Sequence, residues 1–409
     1  METRAVRGLE IASQSQRQIT YSGTFWTVPS QSSAKSYAVT IDPPFCTCPD
    51  FKETALKCKH VFAVEYHIAK ESGAQLPEVI PQKRKTYRQE WHEYNLAQTN
   101  EKAHFQTLLY ALCQNIEEPP QVMGRPRAPF SDVVFAACMK IYGGMSGRRS
   151  QSDVRDSLQR GHLSKQVHYN TLSKYLEKEE LTPLLKQLIV ESSLPLKSVE
   201  TDFAVDSSGF STGLYQKWVQ AKWGAGGPSD IEKRELSVNK KDWVKVHAMT
   251  GVRTNVVTSV EVTHAHAHDS PYFKSLVETT AQNFKLGNVS ADKGYSSETN
   301  MHLVLVHGGQ PYIAFRKNAT AANRRSGSVW KRLFLEYQIN QDYFMERYHK
   351  RSNVETTFSM IKRKFGERLR NKTETAQINE VLCKVLCHNL CVLVQSMYEL
   401  GVEVDFGVE

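Results

Sequence analysis

The hydrophobic and polar positions divide the chain into three stretches of different rhythm. Up to about residue 75, short runs give a strand–strand–helix pattern. Tyr37–Ile41 alternates like a strand and His60–Ile68 is spaced like a helix. From about 76 to 195 the pattern is one of short helices joined by polar or Pro/Gly loops, such as Glu117–Pro129 and Gly143–Ser150. One of these helices is expected to start at Thr182-Pro183, where proline suits a first helical turn. From about 196 to 400 strands and helices alternate, the mark of an α/β layer fold.

Within the third stretch, Val199–Asp206 reads as a strand that ends at Ser207-Ser208-Gly209. Trp243–Met249 and Asn255–Thr263 read as a hairpin around Thr250-Gly251. A helix should begin at Ser270-Pro271, with serine as cap and proline in the first turn. Asn288–Asp292 and Pro311–Arg316 are further strands, Met301–His307 lies in a helix, and a long helix covers about Arg347–Phe365. This succession has a ribonuclease-H-like order. The expected fold class is α/β: a ribonuclease-H-like domain with a mixed sheet flanked by helices at 196–400, a helical region at 76–195, and a small Cys/His domain at 1–75.

Composition narrows the class. With 40% hydrophobic and 23% charged residues, the chain can bury a core, which excludes wholesale disorder, a collagen repeat and a disulfide scaffold. A net charge of +9 points to a polyanionic partner. No apolar run follows a basic stretch at the start, so no secretory signal is expected. The most apolar run, Val381–Val394, is interrupted by Lys384, His388 and Asn389 and is too short to span a bilayer. Eight scattered cysteines suit a reducing compartment. The expectation from these features is a soluble cytoplasmic protein with no membrane partner.

Cys46-Thr47-Cys48 and Cys58-Lys59-His60 bring three thiols and an imidazole into 15 residues of chain. Zinc takes four such ligands in a closed tetrahedral site, and the intervening loop closes it. Cys48-Pro49-Asp50-Phe51 and Cys58-Lys59-His60-Val61 resemble the SWIM zinc finger, a Cys-x-Cys…Cys-x-His module. One structural Zn²⁺ on Cys46, Cys48, Cys58 and His60 is expected, with no open position for catalysis. Such modules bind DNA or protein. His67 is a weaker rival ligand, better read as a helix surface residue.

The sharpest signal is Tyr348-x2-Arg351-x3-Glu355-x6-Lys362. On a helix turning roughly 100° per residue, all four fall within an arc of about 60°. Val354, Phe358, Ile361 and Phe365 form the apolar arc beside it. An acid between cations and a phenol suits a carboxylate metal ligand among phosphate-gripping side chains. The spacing resembles the Tyr-Arg-Glu-Lys signature of DDE transposases from bacterial and archaeal insertion sequences. Val205-Asp206-Ser207-Ser208-Gly209 resembles the segment of that family's first aspartate, and Ala291-Asp292-Lys293-Gly294-Tyr295 that of its second. Val260–Pro271 resembles the segment leading to its middle helix.

The resemblance implies that Asp206, Asp292 and Glu355 are catalytic and hold two Mg²⁺ (or Mn²⁺) ions. It also implies that Tyr348, Arg351 and Lys362 contact DNA. Asp206 would be the ligand shared by both ions. The chemistry asks for such a set: in-line attack on a phosphodiester can be clamped by two ions about 3.5–4 Å apart, and Mg²⁺ wants hard oxygen ligands. Asp202, on the same strand face as Asp206, is a reserve candidate with a structural role favoured. Residues Glu346–Lys372 carry nine Lys/Arg against three Glu, which suits a backbone-tracking channel. Six cations between Arg316 and Arg332 mark either a DNA-contacting or a merely solvated loop.

Weaker signals remain. His264, His266 and His268 would share one strand face, a possible transition-metal grip; a structural role for His268 and Asp269 is favoured. Gly124-Arg125-Pro126-Arg127 is similar to an AT-hook core, but a proline-rich linker explains it better. Residues 150–193 suit either a helix-turn-helix that reads DNA ends or a plain bundle. Cys383, Cys387 and Cys391 read as an apolar core stripe. The expected function is a Mg²⁺-dependent DNA transposase that cuts at element ends and joins the freed 3′-hydroxyl to target DNA, working as a dimer or higher assembly. The rivals are a non-catalytic DNA-binding descendant and a His-metal hydrolase.

Overall fold

The computed structural model describes residues 3–13, 19–30, 35–73, 90–118, 120, 123–124, 126–212, 243–316, 319–320 and 328–406. Two compact units emerge, Met1–Arg88 and Gln89–Glu409. Arg125 of the AT-hook-like run and most of the cationic stretch after Arg316 lie outside the described residues.

In the first unit, helix α1 (Thr3–Ser13) is followed by strands β1 (Thr20–Tyr21), β2 (Trp26–Pro29), β3 (Ser36–Ile41) and β4 (Pro44–Cys46), an antiparallel sheet in chain order. Helices α2 (Pro49–Thr54) and α3 (Lys59–Glu71) complete it. The expected strand at Tyr37–Ile41 and helix at His60–Ile68 are both present. Helix α1 packs closely on α3: a Cβ on Gly8 would lie 2.5 Å from the Cβ of Phe62, so only glycine fits that crossing. Ile11, Ile19, Val28, Val39, Val61 and Val64 form a small core that surrounds the three cysteines.

In the second unit five helices come first: α4 (Trp91–Gln114), α5 (Phe130–Tyr142), α6 (Gln151–Gln159), α7 (Tyr169–Leu176) and α8 (Leu181–Ser193). Helix α4 spans 24 residues, so not all of these helices are short. Next come β5 (Phe203–Ser211), β6 (Trp243–Gly251), β7 (Val257–His264), α9 (Phe273–Ala281), β8 (Asn288–Ala291), α10 (Glu298–Val306) and β9 (Gln310–Ile313). The chain closes with α11 (Val329–Ile339), α12 (Gln341–Tyr348), α13 (Ser352–Phe365) and α14 (Glu374–Glu399).

The five-stranded sheet runs β7-β6-β5-β8-β9. The β5–β6 and β6–β7 pairs are antiparallel, whereas β5–β8 and β8–β9 are parallel. The mixed α/β architecture expected from the sequence is therefore present. Alternation along the strands gives the sheet two dry faces. Phe203, Val205 and Met249 pack with α9, α10 and α11 on one side. Ala204, Val246, Ala248 and Val260 join helices α4, α5, α7, α8, α13 and α14 on the other. The helices before residue 195 thus share one core with the sheet, and the compositional change near that residue has no counterpart in packing.

Several boundaries differ from expectation. Strand β5 starts later than Val199 and runs on through Ser207-Ser208-Gly209, because each of these residues pairs with β6, up to Ser211↔Trp243. Gly209 serves that pairing, since a Cβ there would come within 2.6 Å of the Trp243 ring. The helix after Ser270-Pro271 opens with a 3₁₀ turn, and Ser270 Oγ accepts from Asn300 Nδ2 instead of capping. The long helix is interrupted: α12 ends at Tyr348 and a 3₁₀ turn, His349–Arg351, precedes α13. Lys350 and Arg351 in this turn are anchored to Asp202, just before β5, and to Asp206 within it.

The apolar run Val381–Val394 belongs to α14, which at 26 residues is long and apolar enough by length and composition to cross a membrane. It is instead the central helix of the second unit's core, and its polar residues are met by protein groups. Asn389 donates to Ile189 and Val257 carbonyls and to Ser192 Oγ, and accepts from Val257 N–H. Lys384 donates to the carbonyls of Gly366 and Arg368. Such complete pairing is what buried polar groups require.

His388 Nε2 donates to the Asn255 carbonyl at 2.9 Å, and burial pushes its pKa down from 6.5 to about 4. A histidine with a depressed folded pKa stabilises fully above its unfolded value and loses that contribution as pH falls from about 6.5 towards 4. The second unit should lose about 2 kcal/mol of stability by about pH 5 through this group. His388→Gln, which keeps a donor without titrating, should flatten that part of the pH dependence in thermal melts. An unchanged pH profile would refute the assignment.

Candidate functional site

The hairpin β3–β4 delivers Cys46, and Cys48 and Cys58 occupy the N-cap positions of α2 and α3. His60 follows on the first turn of α3. Cys48 Sγ accepts from Phe51 N–H at 3.4 Å, and helix N-termini favour thiolates. The ligand atoms of Cys46, Cys48, Cys58 and His60 all lie within 4.8 Å of one another and all four residues are buried. His60 Nδ1 stands 3.8 Å from Cys46 Sγ and 3.9 Å from Cys58 Sγ. Those spacings approach the edges of a tetrahedron with bonds of about 2.3 Å to sulfur. Hydrogen bonding from Cys46 holds the Cys58 thiol down at about 4, while Cys58 and burial push Cys46 up. The donor set and spacing fit zinc. His67 pairs with Glu71 at 3.3 Å and stands outside the group.

In the second unit, strand register brings two acids together. Val205 on β5 is the Cα partner of Ala291 on β8, the last parallel pair. Asp206 and Asp292 are the next residue on each strand. Strands lie about 4.8 Å apart and alternate their faces, so the two aspartates stand side by side on one face. Ser290, two residues before Asp292 on that face, donates to the Arg347 carbonyl, which ties β8 to the approach of α13. Glu355 sits in the first turn of α13, whose Val354, Phe358, Ile361 and Phe365 are buried against the sheet as the apolar arc predicts.

One guanidinium joins two of the acids. Arg351 donates to Asp206 Oδ2 and to Glu355 Oε1, both at 2.6 Å. Burial, with Asp292 and Glu355 nearby, pushes the Asp206 carboxyl above its usual range despite the Ser207 amide and Arg351. Among the described residues the Cys/His cluster is the group close enough to share one ion, and the three carboxylates do not form such a group. Their all-oxygen donor set and crowded negative charge nevertheless suit a hard divalent cation. Beside them opens a cavity of about 450 Å³ lined by Asp206, Ser207, Ser208, Glu355, Phe358, Ser359, Lys362, Arg363 and Glu367. Lys362 donates to Ser208 Oγ at 2.8 Å, and burial lowers its pKa. Tyr348 stacks on Phe344, and the Arg351 guanidinium lies 6.0 Å from its ring.

A second polar group on the opposite face of β5 was not foreseen as a unit. Asp269 receives Ser207 Oγ at 2.9 Å and pairs with Lys245 at 2.6 Å. His247, fully buried and neutral with its pKa pushed by burial to about 4, lies 3.4 Å from the same carboxylate. The hydroxyl of buried Tyr295 makes no hydrogen bond among the described residues. The signal was available in the hairpin, because Ser207 opposes His247 and Lys245 lies two residues along the same face. His264 ends β7, and His264, His266 and His268 are all exposed in or beyond it, so the strand-borne metal grip is not formed. Asp202 accepts from Asn288 and from Lys350 at 2.6 Å, a structural anchor. Cys383 and Cys387 are buried in the core and Cys391 is partly buried.

The second unit is a mixed α/β domain with an acidic rim, in one chain with a Cys₃His cluster that fits zinc. Residues 197–390 match the family of the transposase DDE domain, and residues 37–69 match the SWIM zinc finger. The match to the transposase DDE domain falls within the second unit and the match to the SWIM zinc finger within the first. A probable transposase for insertion sequence element ISA1214 of Archaeoglobus fulgidus is 25% identical over 225 residues, 55% of this chain. The chain spans 63% of that relative's length. A piggyBac transposase synaptic complex with hairpin DNA, solved by cryo-electron microscopy, gives a TM-score of 0.34 at 12% identity over 77% of each chain, a likeness too distant to argue from.

Proposed function

We propose that the protein is a DNA transposase that cuts phosphodiester bonds at the ends of its element and joins the freed 3′-hydroxyl to target DNA. The observation that supports this reading is the register of β5 and β8, which sets Asp206 and Asp292 on adjacent strands, with Glu355 joined to Asp206 through Arg351. These three carboxylates would hold two Mg²⁺ ions, which supply charge neutralisation at the attacking and leaving oxygens. Asp206, anchored in mid-strand, fixes the position of the site, while Glu355 lies on the exposed rim of α13. Arg351, Tyr348 and Lys362 would grip backbone phosphates along the cavity, Arg351 by its fork and Lys362 as a point charge. The zinc module and the helices of residues 91–193 would select or organise the ends, and pairing two ends requires at least a dimer on DNA.

The test is incubation of the purified chain and Mg²⁺ with the DNA that flanks its gene. Nicks at the element's ends and products joined through the 3′-hydroxyl are expected, with a complex of at least two chains in light scattering. Specific binding of the ends without any cut in Mg²⁺ or Mn²⁺ would instead favour a DNA-binding protein without catalysis.

A further inference from the structure

Arg351 stands where the acids demand a cation. Its two 2.6 Å contacts use one oxygen of Asp206 and one of Glu355, so a single side chain serves two of the three carboxylates. The place is otherwise poor for an arginine, because it lies in the turn that opens α13, where the helix dipole favours anions. The carboxylates outweigh that penalty. A guanidinium cannot shed its charge, and the fork that fits two carboxylates also fits a phosphate. A divalent ion seated between the same two oxygens would face a full positive charge at close range. The turn itself need not move, since Lys350 pins it to Asp202 at 2.6 Å while the Arg351 side chain swings. Glu355, which lines the adjoining cavity of about 450 Å³, keeps 56% of its side chain exposed, and the Arg351 side chain itself keeps 21%, which leaves the guanidinium within reach of a phosphate.

We propose that Arg351 is the resident counter-ion of the metal-free site, exchanged for divalent ions when a DNA phosphate takes over its guanidinium, so that ion loading follows DNA binding. The inference rests on reading Asp206 and Glu355 as ion ligands. It makes ion and DNA binding reciprocal, each tightening the other by the same factor. The free protein is thereby kept from assembling a loaded nuclease centre away from DNA.

The test measures Mn²⁺ binding by electron paramagnetic resonance on the zinc-loaded full chain, with and without short double-stranded DNA. Without DNA, Arg351→Gln should bind Mn²⁺ at least about tenfold more tightly than the unaltered chain. DNA should tighten Mn²⁺ binding to the unaltered chain and leave Arg351→Gln nearly unchanged. Arg351→Lys, which keeps the charge without the fork, should fall between them. Equal Mn²⁺ affinities without DNA would overturn the proposal. So would an equal gain from Lys362→Gln, which removes a nearby charge that touches neither carboxylate. If Asp206→Asn binds Mn²⁺ as the unaltered chain does, the ligand assignment itself fails, a separate outcome.

Discussion

Asp206→Asn is expected to cut the rate of DNA-end cleavage by about a thousandfold or more while leaving the fold and DNA binding in place. Asparagine keeps the size of the side chain but loses the charge that a divalent ion needs. Asp206 is set in mid-strand, paired with β6 and next to the last β5–β8 pair, and lies deeper than Glu355, so no neighbouring residue can shift to replace it. Its side chain is 19% exposed against 56% for Glu355. Asp202 offers no substitute, because it is already engaged by Asn288 and Lys350. Single-turnover cleavage assays on pre-bound ends would measure the effect. Cleavage by Asp206→Asn at the normal rate would remove the acid from the mechanism. His266→Ala, at an exposed imidazole, should leave cleavage unchanged.

Zinc removal should unfold the first unit. Its core is a handful of aliphatic side chains packed around three unpaired cysteines, too small to stand alone without a staple. Structural zinc contributes on the order of 10 kcal/mol to folding in comparable small modules, more than such a core supplies. Without a cation, the four ligand atoms, all within 4.8 Å of one another and buried, lose the group that would hold them together. Cys58→Ser or a strong chelator should therefore abolish hydrogen-exchange protection across residues 35–73, and one zinc per chain should be released. Protection that persists in a chain shown by mass spectrometry to be metal-free would overturn this.

Local signals proved reliable wherever the physics is local. The Cys/His spacing was legible because both halves of the site are short turns leading into helices. The apolar arc Val354, Phe358, Ile361, Phe365 was legible because helical periodicity holds within α13. The stripe beside it was only partly so. Tyr348 lies on a different helix from Glu355, and the 3₁₀ turn between them is set by salt bridges to Asp202 and Asp206, residues far back in the chain. The end of β5 was misplaced for the same kind of reason: Ser207-Ser208-Gly209 looks like a turn by composition, but a partner strand after residue 242 continues the ladder through it.

By itself the sequence determined the mixed α/β class, the order of the sheet's elements and the clustering of the zinc ligands, since these follow from periodicity, spacing and side-chain chemistry; Asp206 and Asp292 were singled out by a family resemblance in the motifs around them. Tertiary structure decided which groups meet. Asp206 and Asp292 become neighbours through a parallel register, Arg351 is drawn between Asp206 and Glu355, and Asp269 gathers Ser207, Lys245 and His247. The helices before residue 195 share the sheet's core because their apolar faces are covered by α14. Those outcomes depend on the summed packing of elements distant in the chain, which no local pattern encodes.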